Sequence, residues 1–186
     1  MLMIGYHGSI RKFEHFTNEE VNAQDFSNDI NTIGFWFTSG IDSMKPHALG
    51  TETVFEKSET EFWDDGEPKV VQYNKIVSGF IYKVYIDAPN LKEYESNTED
   101  SYDLFMRERD NYCVYLGAKK RNLTWKDKAI LLNKEEANGE LRKSFIKQGF
   151  EGLLIRNTKY YGGVIDLYCI FSEESLHIAD IIAVDV

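Results

Sequence analysis

Cysteine is scarce in this sequence: Cys113 and Cys169 are the only two. Cys169 lies in the apolar run Leu167 to Phe171, where a small buried thiol fits better than a bridge. A disulfide-built fold is therefore excluded, and both thiols are expected reduced, in a cytoplasmic setting. Proline occurs three times, which excludes a proline-rich or fibrous chain. No apolar run approaches the about 20 residues that cross a bilayer, and the opening Met1 to Ser9 has neither a basic n-region nor a cleavage site. No membrane role and no export by that route are expected. Basic residues number 21 against 31 acidic, a formal charge of −10, and such a surface repels phosphate backbones at long range. A protein partner is favoured over nucleic acid. Two cysteines and four scattered histidines show no metal-ligand spacing, so no metal site is expected, and neither a phosphate-cradling Walker loop nor a glycine-rich dinucleotide fingerprint is present.

What remains is an ordinary folding composition, 42% hydrophobic and 28% charged, on 186 residues, a length that suits one domain spanning residues 1–186. A first strand is expected over Leu2 to Tyr6, a second over Ile33 to Thr38, and a surface excursion, acidic and turn-like, over residues 52–68. The run Ile76 to Ile86 carries the strongest strand signal, stopped by Ala88-Pro89-Asn90. Between Leu91 and Gly149 the pattern predicts a helical insertion of three helices (around Leu104 to Tyr112, Trp125 to Asn133 and Glu135 to Gln148), separated by Gly117 and Asn138-Gly139. Strands return at Gly152 to Arg156, Val164 to Phe171 and Ile178 to Val184, with Gly162-Gly163 as the hairpin signal. Strands, then helices, then strands predict an α+β fold on a mainly antiparallel sheet.

At His7-Gly8-Ser9 the first strand is broken by a polar, sterically open trio. Glycine allows a ligand close to the backbone, and its amide and carbonyl suit a planar carboxamide, while histidine and serine suit sugar hydroxyls. Taken alone, the same trio also reads as a plain turn. A second patch follows at Gly34-Phe35-Trp36-Phe37-Thr38-Ser39. Near the other end stand Gly149-Phe150-Glu151-Gly152-Leu153-Leu154-Ile155 and Asp166-Leu167-Tyr168-Cys169-Ile170-Phe171-Ser172.

These four segments, in this order, resemble the diphtheria-toxin and poly(ADP-ribose) polymerase class of ADP-ribosyltransferases, and within it a small bacterial and phage-encoded branch. In that class a Tyr-His-Gly-(Ser/Thr) strand precedes a Gly-x-Tyr-Phe-(Thr/Ala) strand. The likeness covers about the first fifty residues, the strand at Ile76 to Asn90 and about the last forty, and leaves 91–148 uncovered. It implies a split antiparallel sheet with a helical insertion at about 91–148, and mono-ADP-ribosyl transfer from NAD to a macromolecule with release of nicotinamide. The implied setting is a toxin or phage effector, with a cognate antitoxin or inhibitor as a possible further partner. NAD glycohydrolysis and a non-catalytic binding module are the alternatives.

For the site, the resemblance implies that His7 bonds the adenosine ribose, Gly8 clamps the nicotinamide carboxamide and Ser9 supports the nicotinamide ribose. Trp36 stands where the class has tyrosine and stacks on the pyridinium, with Phe37 and Ser39 beside it. His47 is a stacking candidate on the helical stretch Ser43 to Leu49, against its reading as an exposed helix histidine. Asp166 is the implied catalytic acid. Aligned on Tyr168, however, the acid position falls on Leu167, and a slip of one residue reverses the strand face unless a bulge restores it. Glu151 is the reserve acid. Arg11 and Lys12 are candidates for the diphosphate, and Lys119-Lys120-Arg121 for an acidic target, each equally well read as solvated charge. Trp63 and Trp125 are expected to be packing residues.

Overall fold

The computed structural model describes residues 2–17, 32–120 and 134–185. Among the described residues nine strands fall into two sheets. Seven form one sheet in the order β6-β7-β8-β2-β1-β5-β9. They are β1 Met3–Ser9, β2 Phe35–Thr38, β5 Phe80–Ile86, β6 Leu91–Tyr94, β7 Gly152–Tyr160, β8 Gly163–Ile170 and β9 Leu176–Ala183. The other two, β3 Leu49–Phe62 and β4 Pro68–Ser78, make a separate antiparallel ribbon. Two α-helices, α1 Ser101–Lys120 and α2 Lys134–Lys147, and two 3-10 segments, Ile41–Ala48 and Glu173–Ser175, complete the described elements. The architecture is α+β, and β6-β7 is the one parallel pair among the described strands.

The middle of the sheet is weakly joined. β1 pairs with β5 along its whole length, from Met3 against Ile86 to Ser9 against Phe80. Against β2 it makes one pair only, Tyr6 with Thr38. The sheet is thus two halves, β6-β7-β8-β2 and β1-β5-β9, that touch at one point and diverge beyond it.

Alternation along the strands builds a core on each side. On one, Leu153, Ile155, Leu167 and Cys169 pack with Phe105 of α1 and Leu141 and Phe145 of α2. On the other, Phe35, Phe37, Tyr82, Val84 and Ile86 pack with Phe13 and Phe16 from the segment after β1. Tyr82 fixes that segment: its ring stacks on Phe13 with centroids 4.1 Å apart, and its hydroxyl accepts from the Phe13 amide at 2.7 Å. Cys113 and Cys169 are both buried, and neither is in a disulfide.

Several expectations are corrected. Residues 52–68 are a surface excursion, as expected, but an extended rather than a turn-like one: they belong to a long ribbon whose register runs from Leu49 against Ser78. The run Ile76 to Ile86 is two strands in different sheets, parted at Gly79, where the backbone passes so close to Ser9 that a Cβ would lie 2.2 Å from its carbonyl oxygen. β6 is a strand within the stretch expected to be helical. α1 runs through Gly117 and α2 through Asn138-Gly139 without breaking. The helix expected over Trp125 to Asn133 lies outside the described residues. The β7-β8 hairpin turns on Tyr161 and Gly162, at φ 43° and 82°, one residue earlier than expected, and this pair of positive values suits a two-residue turn. Trp63 is 60% exposed near the ribbon tip, with the Lys69 ammonium over its ring, rather than a packing residue.

Candidate active site

Where the sheet parts between β1 and β2, a cavity of about 980 Å³ opens, at the upper end of the range for small-molecule pockets. It runs from the 3-10 segment and ribbon base (Met44, His47, Leu49, Gly50) across Gly8, Trp36 and Leu167 to the N-terminal end of α1, where Glu99 and Asp100 precede the helix and Asp103 lies in its first turn. Gly8 is required by close approach rather than by dihedral freedom. A Cβ there would lie 2.6 Å from the Met44 carbonyl oxygen and 2.7 Å from the His47 Cβ, so any side chain drives the 3-10 segment off the strand.

His7 sits at the parting itself. Its Nδ1 is 3.0 Å from the carbonyl oxygen of Trp36. A carbonyl only accepts, so Nδ1 carries the proton and donates, which fixes the tautomer and leaves Nε2 as an acceptor. The side chain thereby bridges the two strands just past their last backbone pair. The rings of Phe16, Phe37, Phe13 and Tyr82 surround the imidazole at centroid distances of 5.4, 5.9, 6.2 and 6.4 Å. Burial among them pushes the His7 pKa from 6.5 down to about 4. The Trp36 carbonyl opposes this shift, and nearby His47 adds to it. The ring is neutral at physiological pH.

His47 lines the cavity rather than standing free on a helix face. It lies parallel to Tyr160, 5.8 Å between centroids and 9° between planes, with the Tyr160 hydroxyl 2.5 Å from its Nε2. Tyr161 meets its edge at 5.2 Å. Trp36 lines the cavity and leans on Phe105 at 5.8 Å, and Phe37 lines it too.

The remaining expected site residues lie elsewhere. Ser9 is fully buried outside the cavity lining, and its hydroxyl donates to the Arg11 carbonyl at 2.7 Å and accepts from the Arg11 amide at 3.0 Å. Ser39 is exposed, and its hydroxyl accepts from the Asp166 amide at 3.0 Å, locking the end of β2 to β8. Glu151 accepts from the Asn90 amide at 2.9 Å, at the entry to β6 and away from the cavity. Arg11 and Lys12 do not line the cavity either. Lys119 lies at the far end of α1, while Arg121 is outside the described residues.

Asp166 does not line the cavity; Leu167 does. A bulge is present, but in the neighbouring strand. Ile155 pairs with Leu167 whereas Thr158 pairs with Ile165, so β7 holds one extra residue, with Asn157 at φ 52°. Asp166 clamps that bulge: one carboxylate oxygen accepts from the Asn157 amide at 3.0 Å and the other from Arg156 Nη1 at 3.1 Å, and Arg156 also bonds Glu93. In an unbroken ladder Asn157 would face Ile165. The extra residue puts Thr158 there instead, on the same side as Leu167 and in the cavity wall, a re-aiming typical of bulges beside functional sites.

Sequence reasoning missed Thr158, Tyr160 and the α1 carboxylates. Glu99 grips Arg107 through two bonds, at 2.7 and 2.5 Å. Asp100 caps α1 by accepting from the Tyr102 amide at 2.9 Å and ties it to β7 by accepting from the Lys159 amide at 2.9 Å. Tyr160-Tyr161 ahead of Gly162-Gly163 was the available signal for the aromatic pair. For the carboxylates there was none beyond composition. Among the described residues no group of three or more His, Cys, Asp or Glu is placed to hold a metal ion, and no helix is long and apolar enough to cross a membrane. Comparison with family models, with curated proteins and with solved structures finds no match for this chain.

Proposed function

We propose that this cavity binds NAD and that the chain transfers ADP-ribose from it to a macromolecular acceptor, releasing nicotinamide. The observation that carries the reading is the convergence of separate sequence segments on one cavity: His7 and Gly8 from β1, Trp36 and Phe37 from β2, His47 from the 3-10 segment and Leu167 from β8. In this reading Nε2 of His7 accepts from a ribose hydroxyl, the Gly8 backbone meets the carboxamide, and the Trp36 indole faces the pyridinium, a contact worth roughly 1–2 kcal/mol when desolvated. Nicotinamide is a cationic leaving group, so the protein's task is to hold the ring, keep water out and meet the positive charge that grows on the ribose. Leu167 serves the second task. The carboxylates at the α1 end serve the third, in place of an acid on β8.

One observation favours a second reading, an NAD-binding module without turnover: the β8 residue in the cavity wall is leucine, and the neighbouring carboxylate is committed to the β7 bulge. Incubation with NAD labelled in the adenylate separates the readings. Nicotinamide release with label on a macromolecule supports transfer. Free ADP-ribose alone indicates hydrolysis, and intact NAD supports the module. An outcome in which His7→Ala and Trp36→Ala retain full turnover removes this cavity from the chemistry.

A further inference from the structure

We infer that the outer edge of β4 is a docking strand for a partner protein: an extended segment of net positive charge, with basic and apolar residues alternating, pairs with it as a third strand of the ribbon. The docking does not depend on what the cavity binds.

The first observation is an edge without the usual protection. Among the described residues the β3-β4 ribbon is a sheet of its own, two strands wide, paired from Leu49 against Ser78 to Lys57 against Val70. Such a ribbon is marginal in water without further packing, and a strand edge invites pairing unless charge, proline or a bulge blunts it. β3 is blunted. Glu52, Glu56, Lys57, Glu59 and Glu61 punctuate it, and its register shifts between Lys57 and Phe62. β4 is not. From Val70 to Val77 it holds Lys75 as its one charge and no proline, and its valines, Tyr73 and Ile76 are residue types that suit a sheet.

The second observation is the face such a strand would extend. The register places Thr51, Phe55, Val70 and Ile76 on one side of the ribbon and Glu52, Glu56 and Lys75 on the other, because successive side chains alternate. Phe55, Val70 and Ile76 are 64%, 60% and 57% exposed. Leu49 and Thr51, on the same side, line the cavity. The uncharged face is therefore continuous with the cavity wall, and a partner held along it is held beside the cavity.

The third observation selects the occupant. From Leu49 to Ser78 the ribbon carries seven acidic against three basic residues, a net charge of −4. Five of the acids lie between Glu59 and Glu67, around the exposed Phe62 and Trp63 of the tip. A second copy would bring an equally acidic ribbon, on a chain of charge −10, to the strand spacing of about 5 Å. That lies inside the screening length of about 8 Å at physiological salt, so self-pairing is repelled, and nucleic acid is repelled for the same reason. A basic segment is attracted and steered instead. Its backbone supplies the ladder and its apolar residues cover the exposed ones, the division of labour found in strand addition.

The test uses the full chain and a blocked peptide of four Lys-Val repeats. Two comparison peptides accompany it: four Glu-Val repeats, and the Lys-Val peptide N-methylated at alternate residues, which keeps its charge and loses the donors of one edge. Titration followed by amide NMR is expected to give saturable shifts over Val70 to Val77 with the Lys-Val peptide, and binding at least tenfold weaker for both comparisons. Val70→Lys combined with Ile76→Lys, at exposed positions, is expected to weaken binding at least tenfold, whereas Ile146→Lys, at a 50% exposed position on α2, is expected to retain it. Equal affinity for the N-methylated peptide overturns pairing at the edge, and equal affinity for the Glu-Val peptide overturns the basic partner. Sedimentation is expected to find a monomer. A dimer dissociated by the paired lysine substitutions assigns the edge to a second copy, and cosedimentation with phosphatidylcholine vesicles assigns the face to a membrane; either result overturns the inference.

Discussion

Replacing His7 by asparagine converts the electrostatics of the cavity into a measurable stability. The folded chain holds this imidazole near a pKa of 4 against an ordinary 6.5, so between those values the unfolded chain carries a proton that the folded chain refuses. The stability contributed by the neutral ring is complete above about pH 6.5 and is lost as the pH falls through this window toward 4. Each pH unit of such a window is worth about 1.4 kcal/mol, so the whole of it bounds the effect at roughly 3 kcal/mol. Because the ring is half-buried and reached by solvent from the cavity, the expected loss is roughly 2 kcal/mol. Asparagine keeps a donor for the Trp36 carbonyl and does not titrate. Urea unfolding of both proteins at about pH 7 and about pH 4.5 reads the difference, and the other titrating groups cancel between them. Wild type is expected to lose about 2 kcal/mol more than His7→Asn on acidification. Parallel losses in the two proteins would refute the neutral, caged imidazole.

Other outcomes follow from the same geometry. Gly8→Ala places a methyl 2.6 Å from the Met44 carbonyl oxygen. It is expected to cost about 1–3 kcal/mol in thermal unfolding and to abolish NAD binding by calorimetry, because the 3-10 segment must move. Asp166→Asn is expected to lower the stability of the unliganded protein by about 1–2 kcal/mol, since it weakens the clamp on the β7 bulge; a group serving only as a catalytic acid would leave unliganded stability unchanged. Replacing residues 54–73 by an Asn-Gly turn is expected to leave the main unfolding transition in place, as the β3-β4 ribbon shares no ladder with the seven-stranded sheet. A collapse of that transition, followed by circular dichroism, would show that the ribbon carries part of the core.

The sequence was legible where burial imposed a pattern. β5 reads from its own alternation, with Ile81, Tyr82, Val84 and Ile86 buried, and Leu153 to Ile155 read as a strand because both faces of β7 are covered there. The ribbon did not read, because β3 and β4 lie outside the core and Phe55, Phe62, Val70 and Ile76 stay exposed among acids. No burial demands an apolar alternation in such a ribbon. β6 did not read because its four residues take their place from pairing with β7, a partner some sixty positions distant in the chain.

The site divides the same way. His7 and Gly8 stood out as departures from strand chemistry and Trp36 through the resemblance to the ADP-ribosyltransferase strands, and all three line the cavity. The facing of Asp166 and Leu167 depended on a one-residue register that only the β7-β8 pairing fixes. The bulge then moved the strand next door rather than the strand that carried the acid. Thr158 could not be singled out, because nothing local distinguishes a threonine carried into a wall by a bulge from one on an ordinary strand.

Titration calorimetry with NAD, on wild type and on Trp36→Ala, tests most directly whether this cavity is a nucleotide site. The account predicts saturable one-to-one binding by wild type, and binding at least tenfold weaker for Trp36→Ala, whose unfolding remains cooperative because the indole is only partly buried. An absence of heat with wild type, or equal affinity in the two proteins, would contradict it.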